Sequence, residues 1–279
     1  MKKDSLGDRM KQYEGISKTS LMRRNPIIIR IDGKAFHTFT RGFQRPFDDI
    51  LIESMQETMK YLCENIQGCK IGYCQSDEIS LLITDYENIN TAAWFDYQVQ
   101  KMCSIAASMA TLAFNGFFRN NALVKVTITD AYFKNKESYS GDWEKDRLLK
   151  KPYLDACTKG AMFDARCFSI PKEEVCNYFI WRQQDATRNS IQMVGQANFS
   201  HKELQNKSCD EIQDMLMTQK NINWNDFDTV KKRGSCCTKD FEKKMINFQT
   251  QEEIVRKVWG IDKDIPIFTQ DRNYIERFV

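Results

Sequence analysis

Asp32 and the pair Asp77-Glu78 are the residues of this chain best suited to chemistry. Asp32-Gly33 closes the apolar run Ile27-Ile28-Ile29-Arg30-Ile31, and Gln75-Ser76-Asp77-Glu78 interrupts a second apolar stretch. Carboxylates from neighbouring strands suit a hard cation. Mg²⁺ takes oxygen ligands and usually binds through one or two carboxylates plus substrate phosphates. Two such ions, roughly 3.5–4 Å apart, stabilise both the attacking and the leaving oxygen of a phosphoryl transfer. Gly33 has no side chain to keep its carbonyl from a metal, and the backbone amides of residues 33–36 are placed to meet phosphate oxygens as a small nest. Phe36 and His37 would wall a base or triphosphate pocket. Taken singly, each feature has a plainer reading: Asp-Gly after a strand is usually a turn, Ser-Asp-Glu in a hairpin is a solvated loop, and a lone histidine packs or caps. The chemistry depends on whether the fold brings the two acidic turns together.

The elements around them say that it does. Residues 26–31 read as a buried strand, short, apolar and β-branched. Residues 46–64 carry Ile50, Leu51, Met55, Met59 and Leu62 near helical spacing, with Pro46 at the start. Residues 69–74 and 79–84 read as two strands of a hairpin, and 91–118 as a long helix rich in Ala and Met. A short strand is expected at 124–129, a loop at 131–152, a strand at 161–170 stopped by Pro171, and a helix at 172–194. Beyond Gly195 the segments 209–220 and 240–259 look helical. Strand, helix, strand, strand, helix, strand is the split βαβ order. It predicts an α+β, ferredoxin-like palm domain: an antiparallel sheet with both helices on one face, over residues 1–180. A mainly helical C-terminal region, residues 181–279, is expected to contribute to RNA binding and assembly. In this topology Asp32 lies beside Asp77 and Glu78.

Composition sets the limits. The 279 residues are 42% hydrophobic and 28% charged, ordinary for a globular protein with a core. With 41 basic and 38 acidic residues the net charge is only +3, so a nucleic-acid partner would need segregated positive residues. Arg23-Arg24 and Lys231-Lys232-Arg233 are the candidate clusters. The ten cysteines are scattered, contain no Cys-x-x-Cys pair and follow a polar start, so reduced thiols in a cytoplasmic protein are expected. No apolar run approaches the roughly 20 residues that span a membrane.

Arg30-Ile31-Asp32-Gly33-Lys34-Ala35-Phe36-His37, together with Gly72-Tyr73-Cys74-Gln75-Ser76-Asp77-Glu78-Ile79-Ser80, resembles the tRNA-His guanylyltransferase superfamily, the 3′-to-5′ RNA polymerases. The resemblance continues at Phe163-Asp164-Ala165-Arg166 and Trp181-Arg182-Gln183-Gln184-Asp185 and so covers most of the chain. It implies two Mg²⁺ ions per active site on Asp32, Asp77 and the Gly33 carbonyl, with Glu78 in the same acidic cluster. It implies nucleotide contacts from Asp32, Gly33, Lys34, Ala35, Phe36, His37, Ser76 and Asp77, and phosphate contacts from Lys101 and Arg166. The implied partners are tRNA (tRNA-His or 5′-truncated tRNAs), GTP, ATP and other nucleoside triphosphates, and further copies of the chain in a homotetramer. One departure stands out. Where the guanylyltransferases proper continue Trp-Arg-Gln into His-Ile-Asn-Asn, this chain has Thr187-Arg188-Asn189-Ser190. That resembles the guanylyltransferase-like branch, which rebuilds 5′-truncated tRNAs by templated addition, and it argues against non-templated G addition. A nucleotidyl cyclase-like palm enzyme and a catalytically silent RNA-binding protein are the competing readings. The first shares the carboxylates; the second has no need of them.

Overall fold

Ile27, Ile28 and Ile29 are each fully buried, which explains why the first strand is apolar throughout rather than alternating. Ile27, Ile29 and Ile31 face one helical layer, and Ile28 faces another. Each such side chain contributes about 1.5–3 kcal/mol on leaving water. The computed structural model describes residues 5–134, 143–246 and 253–279. Along the chain it runs α1 (Leu6–Ile16), β1 (Ile27–Gly33), α2 (Phe36–Phe39), α3 (Asp49–Asn65), β2 (Cys69–Gln75), β3 (Glu78–Ile83), α4 (Val99–Lys134), α5 (Trp143–Lys159), β4 (Phe163–Ser169) and α6 (Lys172–Asn198). Then follow α7 (His201–Leu204), α8 (Cys209–Lys220), α9 (Thr229–Arg233), β5 (Ser235–Ile246), β6 (Glu253–Asp262) and α10 (Asn273–Glu276).

The sheet order is β4-β1-β3-β2-β5-β6, antiparallel throughout. Its first four strands are the expected ferredoxin-like arrangement. Helices α3 and α4 cover one face through Met55, Met59, Leu62, Met102, Ala106, Ala110 and Phe114. The other face is partly covered by α6, whose Val175, Cys176, Tyr178 and Phe179 pack on Ile28, Ile71, Tyr73 and Leu82. A third cluster joins the later half of α6 to α8 through Ile191, Val194, Ile212 and Leu216. The helix expected from Pro46 begins at Asp49 instead, because Asp48 caps it by accepting from Leu51 N at 2.9 Å.

Three expectations differ from the structure. Residues 124–129 are not a strand; α4 continues through them to Lys134. Their β-branched residues favour strands, but extending an existing helix needs no new nucleus. The fourth strand is β4, paired with β1 over seven residues. The loop expected at 131–152 is largely the end of α4 and the first part of α5, with 135–142 outside the described residues. The helix expected at 240–259 is replaced by the β5–β6 hairpin, which pairs β5 onto β2 and so covers a sheet edge that would otherwise be open. Residues 247–252 of that segment lie outside the described residues. Helix α6 spans residue 180 without a break.

Candidate active site

Side chains alternate along a strand. Arg30 and Asp32 on β1, Glu78 and Ser80 on β3, and Asp164 and Arg166 on β4 therefore share the sheet face that carries α6. The register makes this a connected polar patch: Asp32 is directly opposite Glu78 on one side and Asp164 on the other, and Arg30 is opposite Ser80 and Arg166. The hairpin turn adds Asp77. Ser76 takes a positive φ of 49°, as tight hairpin turns require, and its Oγ donates to Asp77 Oδ1 at 3.0 Å. The two acidic turns are tied together by Gly33 N donating to Asp77 O at 3.1 Å.

The four carboxylates are not equivalent. Glu78 is buried, and Arg182 Nε lies 2.8 Å from its Oε1 as an ion-pair contact. Arg182 is held in turn by Asp185 at 2.6 Å, which also pairs with Arg188. Burial pushes the Glu78 carboxyl above its ordinary range, against the pull of Arg182 and Arg30. Asp164 is paired with Arg166 at 3.0 Å. Among the described residues Asp32 and Asp77 alone in this group have no cationic side chain bonded to them. Burial raises the Asp77 carboxyl, and the neighbouring Asp32 charge raises it further. Two adjacent, uncompensated, hard-oxygen donors fit a divalent cation. The described residues hold no cluster of three or more His, Cys, Asp or Glu that could bind a metal; Mg²⁺ needs none, since phosphates and water complete its shell.

The Gly33–His37 loop keeps only part of the expected phosphate nest, while Phe36 and His37 do line a cavity. Gly33 N is taken by Asp77 O and Lys34 N by Met162 O at 2.8 Å, so those two amides are not free for phosphate. Ala35, at φ 53°, starts α2, and among the described residues the amides of Ala35 and Phe36 have no backbone partner. The Phe36 ring is a core residue, packed on Phe39, Phe114 and Phe163. An added Cβ at Gly33 would fall within 2.8 Å of three of its ring carbons. Gly33→Ala is therefore expected to push this ring out of place and cost about 1–3 kcal/mol, read as a lower urea midpoint; an unchanged midpoint would mean that the ring relocates freely.

Beside this loop opens a cavity of about 620 Å³, lined by Gly33, His37, Arg41, Gln44, Arg45, Asp48, Ser76, Asp77 and, from α6, Met193 and Gln196. Its wall is braced from α5: Tyr153 donates to Asp48 Oδ2 at 2.5 Å and stacks on Phe43. His37 and Lys34 are exposed. Lys101 is exposed on α4, apart from the carboxylates, its ammonium 5.9 Å from the Phe95 ring. Its neighbours Val99 and Cys103 both contact Cys167, so it lies towards the β4 edge that carries Arg166.

The two basic clusters are largely engaged within the chain. Arg23 pairs with buried Asp85 at 2.6 Å. Lys231 bridges Asp49 and Asp228 at 3.3 Å each, and Lys232 donates to Asn225 O. Arg30, Asp164 and Arg182 gain their place in the site from the fold. The spacing of two between Arg30 and Asp32, and between Asp164 and Arg166, marks the first two, and the Trp181-Arg182-Gln183 motif marks the third.

A palm-like antiparallel sheet with two free carboxylates between a large cavity and an arginine-bearing edge suits phosphoryl or nucleotidyl transfer. Residues 7–171 match the family of the tRNAHis guanylyltransferases. A bacterial tRNA(His) guanylyltransferase-like protein in complex with ATP is 43% identical, with a TM-score of 0.78 over 99% of both chains. Such a protein in complex with GTP is 39% identical, with a TM-score of 0.73 over 99% of both. The tRNA(His) guanylyltransferase of Saccharomyces cerevisiae is 25% identical over 239 residues, 81% of this chain and 87% of that one. The chain belongs to the tRNAHis guanylyltransferase family and is a nucleotidyltransferase. No helix among the described residues is long and apolar enough to cross a membrane, and all ten cysteines are free.

Proposed function

We propose that this chain adds nucleotides to the 5′ end of truncated tRNA in the 3′-to-5′ direction, choosing each by pairing with the opposite strand of the acceptor stem. The observation that carries the reading is the free pair Asp32 and Asp77, set between two regions suited to anions. One is the cavity with Arg41 and Arg45; the other is the β4 edge with Arg166 and Lys101. A 3′-to-5′ polymerase needs two such regions, because both the RNA end and the nucleotide carry phosphates. First the RNA 5′-phosphate attacks the α-phosphorus of ATP or GTP, and pyrophosphate leaves. Then the 3′-hydroxyl of the incoming nucleotide attacks the activated 5′-phosphorus, loses its proton, and expels the nucleoside monophosphate. Asp32, Asp77 and the Gly33 carbonyl would hold two Mg²⁺ ions, which when bound supply charge stabilisation at the reacting oxygens. Ser76 orients Asp77. His37, with Lys34 and Ala35, lies where a triphosphate would enter, and Phe36 holds that loop to the core. Glu78 stands beside Asp32 with its charge directed to Arg182. The solved relatives bound to ATP and to GTP support nucleotide use by this fold.

Templating follows from the missing His-Ile-Asn-Asn segment. A tRNA lacking its first nucleotide should be restored with the base complementary to the facing nucleotide, and changing that nucleotide should change which triphosphate is incorporated. Product sequencing after incubation with ATP, GTP and Mg²⁺ reads this out; G added whatever base it faces, or growth only at the 3′ end, overturns it. A cytoplasmic homotetramer is part of the proposal. Supporting it, α1 buries none of its residues in its own chain and leaves Leu6, Met10, Tyr13 and Ile16 exposed.

A further inference from the structure

Trp181 belongs to a family motif and has no task in the proposed reaction. It is a large aromatic side chain, 52% exposed, on the face of α6 next to the polar patch. Its ring is not loose. The Arg182 guanidinium lies 4.2 Å from its centroid and is itself locked by Glu78 and Asp185. Tyr178 meets it edge-on at 5.9 Å. A half-open ring, rigidly backed, is the form of a stacking surface rather than of an incompletely buried core residue.

Arg30 lies beside it, its guanidinium 5.9 Å from the ring centroid. Arg30 is in no ion pair among the described residues, and its Nε is buried without a hydrogen-bond partner. It also stands directly opposite Arg166 in the β1–β4 register. Like charges opposite each other on one sheet face repel, and the single carboxylate bonded here, Asp164, belongs to Arg166. Glu78 feels the Arg30 charge without bonding to it, so Arg30 keeps its hydrogen-bond donors for an added anion. An anion beside an open aromatic ring is the chemistry of a nucleotide.

We propose that Trp181 is a base-stacking platform for a purine nucleotide whose phosphates lie on Arg30 and Arg166. The platform is separate from the cavity at Gly33–His37, on the other side of Asp32. It rests on the function proposed above and specifies its second nucleotide region. The purine has two possible sources: free ATP during activation, or the 5′-terminal residue of the RNA.

The test compares the full-length chain with Trp181→Ala and Trp181→Phe. One arm uses 5′-monophosphorylated truncated tRNA with varied ATP. The other uses the same RNA already carrying a 5′-triphosphate, which skips activation. Loss of a stacked base should raise KM roughly tenfold in W181A, with kcat within about twofold and W181F close to the wild type. A shift confined to the ATP arm places ATP on Trp181; a shift confined to the RNA arm places the terminal base there. Inhibition by inorganic tripolyphosphate, which has no base, should be the same in W181A and the wild type. KM values unchanged in both arms overturn the platform, and so does tripolyphosphate inhibition weakened in step with KM, since that would report a damaged phosphate site. Should the wild type add nothing to RNA, that failure belongs to the proposed function. Equilibrium dialysis with ATP and with a 5′-triphosphorylated oligonucleotide then decides on Trp181, and unchanged binding of both by W181A overturns it.

Discussion

Replacing Asp77 by Asn, or Asp32 by Asn, is expected to lower nucleotide transfer about 10³-fold or more while leaving the chain folded. The size follows from losing several kcal/mol of cation-borne stabilisation at the reacting phosphorus. The stability side has a definite sign. Burial and the Asp32 charge raise the Asp77 carboxyl above its ordinary range, so the folded chain holds this proton to higher pH than the unfolded chain does. That contribution is complete below the unfolded carboxylate range and is lost as pH rises through the raised value. Once ionised, Asp77 strains the fold beside Asp32, and Asp77→Asn should melt at the same temperature as the wild type or above it in metal-free buffer. Added Mg²⁺ should raise the melting temperature of the wild type more than that of either variant. Turnover like the wild type in either variant at saturating Mg²⁺ would remove these residues from the reaction.

The second large effect lies under the site. Arg182→Met should destabilise the chain by about 3–5 kcal/mol, because it leaves Glu78 as an uncompensated buried carboxylate. Arg182 and Glu78 have side-chain exposures of only 6% and 10%, so water does little to soften the loss. The double variant Arg182→Met with Glu78→Gln should recover much of it, since both charges then leave together. Urea unfolding of the four proteins gives the coupling directly. If the double variant is no more stable than Arg182→Met alone, the pair does not hold α6 to the sheet in the way its geometry indicates. The same cycle read by activity separates the two duties of Glu78, as partner to Arg182 and as neighbour of Asp32. Glu78→Gln alone should perturb turnover far less than Asp77→Asn if its charge is committed to the arginine.

Local pattern was a good guide where strands or helices bury a continuous apolar set. Ile27-Ile28-Ile29, the hairpin around Ser76-Asp77 and the spacing of Met55, Met59 and Leu62 could be read directly, and they place Asp32 beside Asp77. It failed at residues 124–129 and 240–259. In the first, β-branched residues ride on a helix already nucleated some 25 residues earlier. In the second, the segment prolongs β5, whose residues Ser235–Thr238 are held on the edge of β2, and folds back on itself as a hairpin that only the assembled sheet anchors.

Residue types and their order along the chain set the chemistry available: two carboxylates at strand ends, a glycine beside the first, and motifs that mark the family. Those properties belong to residue type and to spacing along one chain. Which carboxylates remain free depends on the neighbours that the folded sheet gives each of them. Glu78 and Asp164 look as suitable as Asp32 and Asp77 in sequence, yet Arg182, 104 positions from Glu78, and Arg166, on the same strand face as Asp164, bond to them. The phosphate nest expected at residues 33–36 was halved in the same way, when Asp77 O and Met162 O took two of its amides. Charges and hydrogen bonds act through space over a few ångströms, so their balance is set by which residues the folded sheet makes neighbours.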